Sequence, residues 1–237
     1  MRNHLRTLLV GAAAMLALGT LPACSGGSSH EAASSEKSTA ATTVTSTARA
    51  TAAPFPQSAN YVADMPAADG KTMTIGIAVD GAEIAAYACN GIDDEAWFFG
   101  NQSDGKIDIT GKFRDTLKAS LNGSDVVGDL TMNGVPYHFT APSVPAPAGM
   151  YTGEVNGVRA SWVVRADGSA TGVQNNGNDS DVADLVIENE QRFRDQVRNR
   201  RKLQAAAQIV GLQNRSARST INGAPVALVV VNGNFRL

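Results

Sequence analysis

Thr72-Met73-Thr74-Ile75-Gly76-Ile77-Ala78-Val79-Asp80-Gly81 is the stretch that decides the fold. Met73, Ile75, Ile77 and Val79 recur at a period of two, with small or polar residues between them, so an extended chain here has one apolar and one mixed face. Asp80-Gly81 then offers the positive φ angles of a tight hairpin turn. Asn-Gly or Asp-Gly pairs recur through the rest of the chain, beginning at 69, 80, 90, 104, 122, 133, 156, 167, 176, 222 and 232. Many of these lie about ten residues apart, which is hairpin spacing. Val135, Tyr137 and Phe139 repeat the alternation, as do Val158, Ala160, Trp162 and Val164, with His138, Arg159 and Arg165 on the opposite faces. This predicts a mainly β chain of antiparallel hairpins, in a sandwich or small barrel, joined by one long helix.

Pro142, Pro145 and Pro147 interrupt the pattern, because proline cannot donate to a central ladder; residues 141–149 are expected to cross an edge or join two halves. From Asp181 to Val210 the period changes. Val182, Leu185, Val186, Phe193, Val197, Leu203, Ala207 and Val210 fall on one helical stripe, which predicts an amphipathic helix over 181–210 packed on the sheet. Asp181 reads as its N-cap and Gly211 as its terminator, with a break near 199–202 where Arg200 interrupts the stripe. Ala224–Val231 is apolar on both faces and is expected as a central strand beneath that helix.

All thirteen aromatic residues of the 237-residue chain lie at or after Phe55, so the first 54 residues offer no aromatic anchor and the globular domain is expected over residues 57–237. A formal charge of -2 argues against general nucleic-acid binding, and two cysteines make neither a disulfide framework nor a cysteine-rich metal cluster. No cofactor motif is present. The first 23 residues carry Arg2, His4 and Arg6, then an apolar run from Leu8 to Leu18, then Leu21-Pro22-Ala23 before Cys24. This is the order of a secretory signal, and the run is too short for a bilayer core that needs about twenty apolar residues. Leu21-Pro22-Ala23-Cys24 resembles the lipobox of bacterial lipoproteins. The resemblance implies cleavage before Cys24, acylation of its thiol and a place on the extracytoplasmic face of the cell membrane.

Loss of residues 1–23 would remove Arg2 and Arg6 and leave 18 basic against 22 acidic residues, a charge of -4, so lipid rather than surface charge is the expected anchor. Residues 24–56 are rich in Ser, Thr and Ala and read as a flexible tether about 30 Å in mean reach. Acylation of Cys24 leaves Cys89 without an intramolecular partner, and its surroundings, Ala85-Ala86-Tyr87-Ala88, suit a buried, inert thiol. Further along, Ala86-Tyr87-Ala88-Cys89-Asn90-Gly91, Glu95-Ala96-Trp97 and Pro147-Ala148-Gly149-Met150-Tyr151 resemble a recurring pattern in secreted actinobacterial proteins. That resemblance spans about residues 72–173 and brings no activity or catalytic residue with it.

Catalytic candidates are few. His138 is the one histidine within 57–237 and sits on the polar side of its strand, without a nucleophile motif to serve. Asn178, Asp179, Ser180, Asp181 and Asp184 could offer oxygens to calcium but lack the EF-hand spacing, and read as a polar turn capping a helix. Asp93, Asp94 and Glu95 read as solvated turn residues at the start of a strand. Arg194, Arg198 and Arg201 recur at helical spacing opposite the apolar stripe, where they could contact an anion or an acidic partner; the plainer reading is a solvated face balanced by Glu190 and Asp195. In Glu95-Ala96-Trp97-Phe98-Phe99 an inward Phe98 turns Trp97 and Phe99 the other way, either against a second layer or as an aromatic binding platform. The sequence thus points to a lipid-anchored, non-enzymatic envelope protein that binds a partner or a small apolar ligand. The alternatives are an enzyme acting on cell-wall material through carboxylates, and a structural accessory of a membrane complex docking through its helix.

Overall fold

The computed structural model describes residues 54–66, 70, 72–177, 189–213 and 216–237. Cys24, the signal segment and most of the tether lie outside the described residues, as does the acidic run 178–184. The described elements are β1 (Ser58–Pro66), β2 (Thr72–Asp80), β3 (Glu83–Cys89), β4 (Glu95–Ser103), β5 (Lys106–Thr110), β6 (Thr116–Asn122), β7 (Asp125–Met132), β8 (Val135–Ala141), β9 (Ser143–Val144), β10 (Gly149–Val155), β11 (Val158–Val164), β12 (Ala170–Asn175), α1 (Glu190–Arg201), β13 (Leu203–Ala205), β14 (Val210–Gln213), β15 (Ser216–Ile221) and β16 (Ala224–Val231). The expected architecture is the observed one: antiparallel sheets, here a near-barrel and a half-barrel, with, among the described residues, a single helix toward the C-terminus.

β1 to β8 form an up-and-down meander in which each strand pairs with its neighbours in sequence. Beyond Pro142, which follows β8, the chain bends to pair β9 with β1, through Asn60↔Val144 and Tyr61↔Ser143. The Val62 N–H donates to the Pro142 carbonyl at 3.3 Å. The proline-rich segment thus brings the last strand of the barrel to the first, then carries the chain into the second sheet, as its expected joining role required. Eight strands give an interior that side chains just fill. Met73, Ile75, Ile77 and Val79 occupy it together with Phe98, Leu117, Leu130, Tyr137 and Phe139. At Gly128 a side-chain carbon would fall 2.6 Å from Ala119 Cβ, so the tight approach of β7 to β6 requires glycine. Val135, expected on the same inward face as Tyr137 and Phe139, is 42% exposed at the rim.

The second sheet runs β13-β12-β11-β10-β16-β15-β14. One of its faces, with Met150, Val163, Val173 and Val231, packs against the outer wall of the barrel at Val62, Ala78, Ala85, Tyr87 and Trp97. Its other face encloses a separate cluster of Tyr151, Ala160, Trp162, Val164, Ala217, Ile221 and Leu228. Arg165 ties the two sheets together at one end: its Nε and Nη2 donate to the Asp64 carboxylate at 2.7 and 2.6 Å, and Nη2 also meets the Thr74 and Thr171 hydroxyls. The Asp64 carboxyl is held below its ordinary range chiefly by that guanidinium. Turn chemistry follows the sequence. Asp104, Asn133, Asn156 and Asn222 have φ of 51, 50, 52 and 49°, each followed by a glycine with positive φ, the backbone of two-residue type I′ hairpins.

The helix departs from expectation. It spans Glu190–Arg201, with Asn189 as N-cap accepting the Arg192 N–H; Asp181, the expected cap, lies outside the described residues. Lys202 adopts the left-handed conformation that ends the helix, and Leu203 pairs with Asn175 as β13 joins β12. Val210 belongs to β14. The apolar spacing of Leu203, Ala207 and Val210 therefore serves a strand, a loop and a strand, an ambiguity inherent in short apolar runs. Nor does α1 cover β16. Phe193 and Val197 pack on Phe113 instead, and Val229 of β16 is 59% exposed.

Candidate functional site

The site grows from an interruption in the barrel wall. β4 pairs with β5 only at Gln102↔Ile107 and Ser103↔Lys106. Its first half pairs with β3 on one side, while on the other the β5–β6 turn comes close at Gly111, where a side-chain carbon would sit 2.9 Å from the Trp97 carbonyl oxygen. Between the two a cavity of about 660 Å³ opens. Period-two alternation places Glu95, Trp97 and Phe99 together on the outer face of β4 and Phe98 in the barrel core. The Asn90 side chain fixes the approach to β4 by accepting the N–H groups of Ile92, Asp93 and Asp94 at 2.9, 2.9 and 3.0 Å.

Glu95 is 1% exposed, which overturns its reading as a solvated turn residue. A buried carboxylate must be paired, and this one is. Tyr87 Oη donates to Oε2 at 2.8 Å; Arg159 and Arg201 both donate to Oε1, at 3.1 and 2.7 Å. Arg201 Nη1 also donates to the Glu95 carbonyl at 2.8 Å, and its guanidinium lies 4.7 Å from the centre of the Phe113 ring. The four groups come from β3, β4, β11 and α1.

Arg201 is therefore not part of a solvated stripe. It is 3% exposed and continues the buried face of Phe193 and Val197 at i+4 and i+8. Arg194 and Arg198 lie nearer the surface. Arg194 pairs with Glu190 at 3.3 Å and lies against Gly134, while Arg198, with its side chain 58% exposed, stands 3.8 Å from Asp94. The expectation for Trp97 and Phe99 holds in its second-layer form: they stack at 5.4 Å, Trp97 packs on Tyr87 at 4.6 Å and Phe235 at 5.6 Å, and both rings line the cavity. The Trp97 indole N–H is buried and meets no acceptor among the described residues, which costs about 1–3 kcal/mol for a donor left unsatisfied.

Asp115 lines the same cavity from the β5–β6 turn. It is 8% exposed and accepts the Asn133 N–H at 3.0 Å. Burial pushes its carboxyl up to about 6, with Asp94 adding to the rise and Asn133, Arg201 and Arg194 opposing it. Asp94 is itself raised by burial and accepts the Asn133 amide at 2.7 Å. Glu95, Asp115 and Arg159 were missed as site residues. Only Glu95 carried a legible signal, its place on the Trp97 face. Elsewhere, His138 is exposed and paired with Asp129 beside the cross-strand pair Lys118–Asp108, over a groove on the outer wall of β5–β8. Such surface pairs add about 0–1 kcal/mol each. Cys89 is fully buried, and burial pushes its thiol up to about 12, an inert group. Comparison with protein-family models, curated proteins and solved structures finds no match to this chain.

Glu95→Gln leaves two guanidinium groups facing a neutral amide and is expected to cost about 3–5 kcal/mol in urea unfolding. Glu95→Gln combined with Arg201→Met should recover part of that loss; an unchanged midpoint in the single variant would contradict the role of the carboxylate. The Asp115 effect has the opposite sign. Its raised carboxyl binds a proton more tightly folded than unfolded, so its ionisation opposes folding above about pH 6 and the cost vanishes as pH falls toward the unfolded value. Asp115→Asn should therefore raise unfolding free energy at pH 8 by on the order of 2 kcal/mol and change it little near pH 4. A variant less stable than wild type at pH 8 would refute this.

Proposed function

We propose that this chain is a lipid-anchored envelope protein whose β domain holds a small, partly apolar ligand outside the cytoplasmic membrane and acts by binding. The observation that carries the reading is the cavity beside β4. Its volume of about 660 Å³ falls within the roughly 300–1,000 Å³ of small-molecule sites. Its walls divide into an aromatic side, Trp97 and Phe99, and a polar side where Arg159, Arg201 and Asp115 converge, with Phe113 lying against Arg201. These groups stand on strands, a helix end and a short turn, already fixed by mutual ion pairs and stacking, so little ordering cost is left for the binding step.

The extracytoplasmic location rests on the lipobox resemblance at Leu21–Cys24; the tether expected at 24–56 stops short of Phe55, which is buried in the barrel core against Tyr61, and the segment before it would let the domain sample the space above the bilayer. The second reading, an enzyme working through carboxylates, has one observation in its favour. Asp115 and Glu154 line the same cavity, and Asp115 titrates where a general acid would. Binding without conversion of the bound compound separates the two.

Cys24→Ala is expected to move the protein from the membrane to the soluble fraction, or leave it unprocessed, with loss of radiolabelled palmitate incorporation; unchanged labelling would remove the anchor. For the cavity, calorimetric titration of the domain with naphthalene-2-methanol should show one site. Phe99→Ala, which shortens an aromatic residue that is only half-buried, should weaken it about tenfold without unfolding the protein. No binding by wild type of this probe or of a charged analogue of the same ring, or equal binding by the variant, would count against the cavity.

A further inference from the structure

The cavity is asymmetric in charge as well as in polarity, and this bears on which ligands fit it. Its lining carries Lys112, Arg159 and Arg201 against Asp115 and Glu154. Glu95, behind the wall, pairs with both arginines. Among the side chains of the described residues three cations thus meet three carboxylates. Glu154 is exposed at the margin, whereas the two guanidinium groups are 14% and 4% exposed and held in place. The aromatic wall lies beside them on the same strand face, since Trp97 and Phe99 follow Glu95 at a period of two.

We propose that the ligand is a small ring-bearing organic acid, its ring against the Trp97–Phe99 wall and its anionic group toward Arg159 and Arg201, and that it binds together with one proton. This rests on the reading of the cavity as a ligand site. The flat stacked rings favour a ring over a flexible chain, and planar guanidinium forks match carboxylates and sulfonates. The proton goes from solvent to the Asp115 carboxylate. Ionised, Asp115 opposes an incoming anion; protonated, it removes one negative charge from the lining and offers an O–H donor. The groups that face Asp115 agree with this role. From the β3–β4 loop Asp94 raises its proton affinity, and from α1 Arg201 and Arg194 moderate it, while Arg198 lines the same small hollow. From the β7–β8 turn Asn133 holds one oxygen, and Lys112 stands on its own turn.

The test compares two probes of the same ring, naphthalene-2-sulfonate, charged throughout, and neutral naphthalene-2-methanol, by calorimetry at pH 5 and pH 8. The sulfonate is expected to bind about tenfold tighter at pH 5, with proton uptake near pH 7 revealed by buffers of different ionisation enthalpy. The neutral probe should show neither effect. Asp115→Asn should bind the sulfonate with an affinity that no longer depends on pH. Equal affinity for the two probes, or a pH-independent sulfonate affinity in wild type, overturns this inference while leaving the cavity a binding site. Failure of both probes overturns the cavity reading, and this inference with it.

Discussion

Glu95 is a carboxylate buried where barrel, second sheet and helix meet, and the cost of burying a charge governs what surrounds it. A lone carboxylate there would cost several kcal/mol even after relaxation. Tyr87 from β3, Arg159 from β11 and Arg201 from α1 offset that cost by converging on it. Each partner is then committed. Arg159 must reach back across the interface between the sheets, and the helix must end where Arg201 can turn inward. The left-handed Lys202 and the pairing of Leu203 with β12 follow directly from that end point. An ion cluster of this kind adds little net stability compared with a well-packed apolar substitute. What it supplies is position, since two guanidinium groups are held beside an aromatic wall with little freedom left to lose.

The barrel itself does not depend on the cluster. Its interior is filled by side chains of all eight strands and its closure by backbone bonds to β1. The second sheet leans on its outer wall through β1 to β4, which accounts for why β2 and β3 are buried on both faces. Besides the closure, where the short β9 rather than β8 pairs with β1, the described wall is incomplete where β4 and β5 part. A gap in a ladder leaves backbone groups and side chains without a covering strand, and here the β5–β6 turn, the arginines and the end of the chain cover it incompletely. The cavity is thus a consequence of strand pairing that stops short, with its chemistry set by which residues happen to alternate outward from β4.

Much of this was legible in residue spacing. Strand faces followed from a period of two, and the turns from Asn-Gly and Asp-Gly, because both signals are local and the structure reads them locally. Trp97 and Phe99 could be placed opposite Phe98 for the same reason. The helix was overextended because Leu203, Ala207 and Val210 match a helical period by spacing while belonging to other elements. Glu95 was misjudged because its company, Asp93 and Asp94 after Asn90-Gly91, reads as a polar turn; its burial is imposed by β11 and α1, more than sixty residues away in sequence. Arg201 was placed on a solvated face for a matching reason. A charged residue on an apolar helix face looks like an error until its partner is known. Asp115 offered no local signal at all.

Local rules break where something other than stability is being served, and the breaks here are concentrated. Asp115 is a carboxylate in a site that pushes it toward the neutral form, a choice an amide would make without penalty, since Asn133 asks only for an acceptor. The Trp97 indole N–H is buried beside the same cavity with no acceptor among the described residues. An unfavourable ionisation and an unanswered donor within one lining are hard to account for as packing. Both would be relieved by a ligand that brings an acceptor to the one and arrives with a proton for the other. On the proposed reading, that is how a rigid β scaffold can couple occupancy of a cavity to the acidity of its surroundings without any movement of its strands.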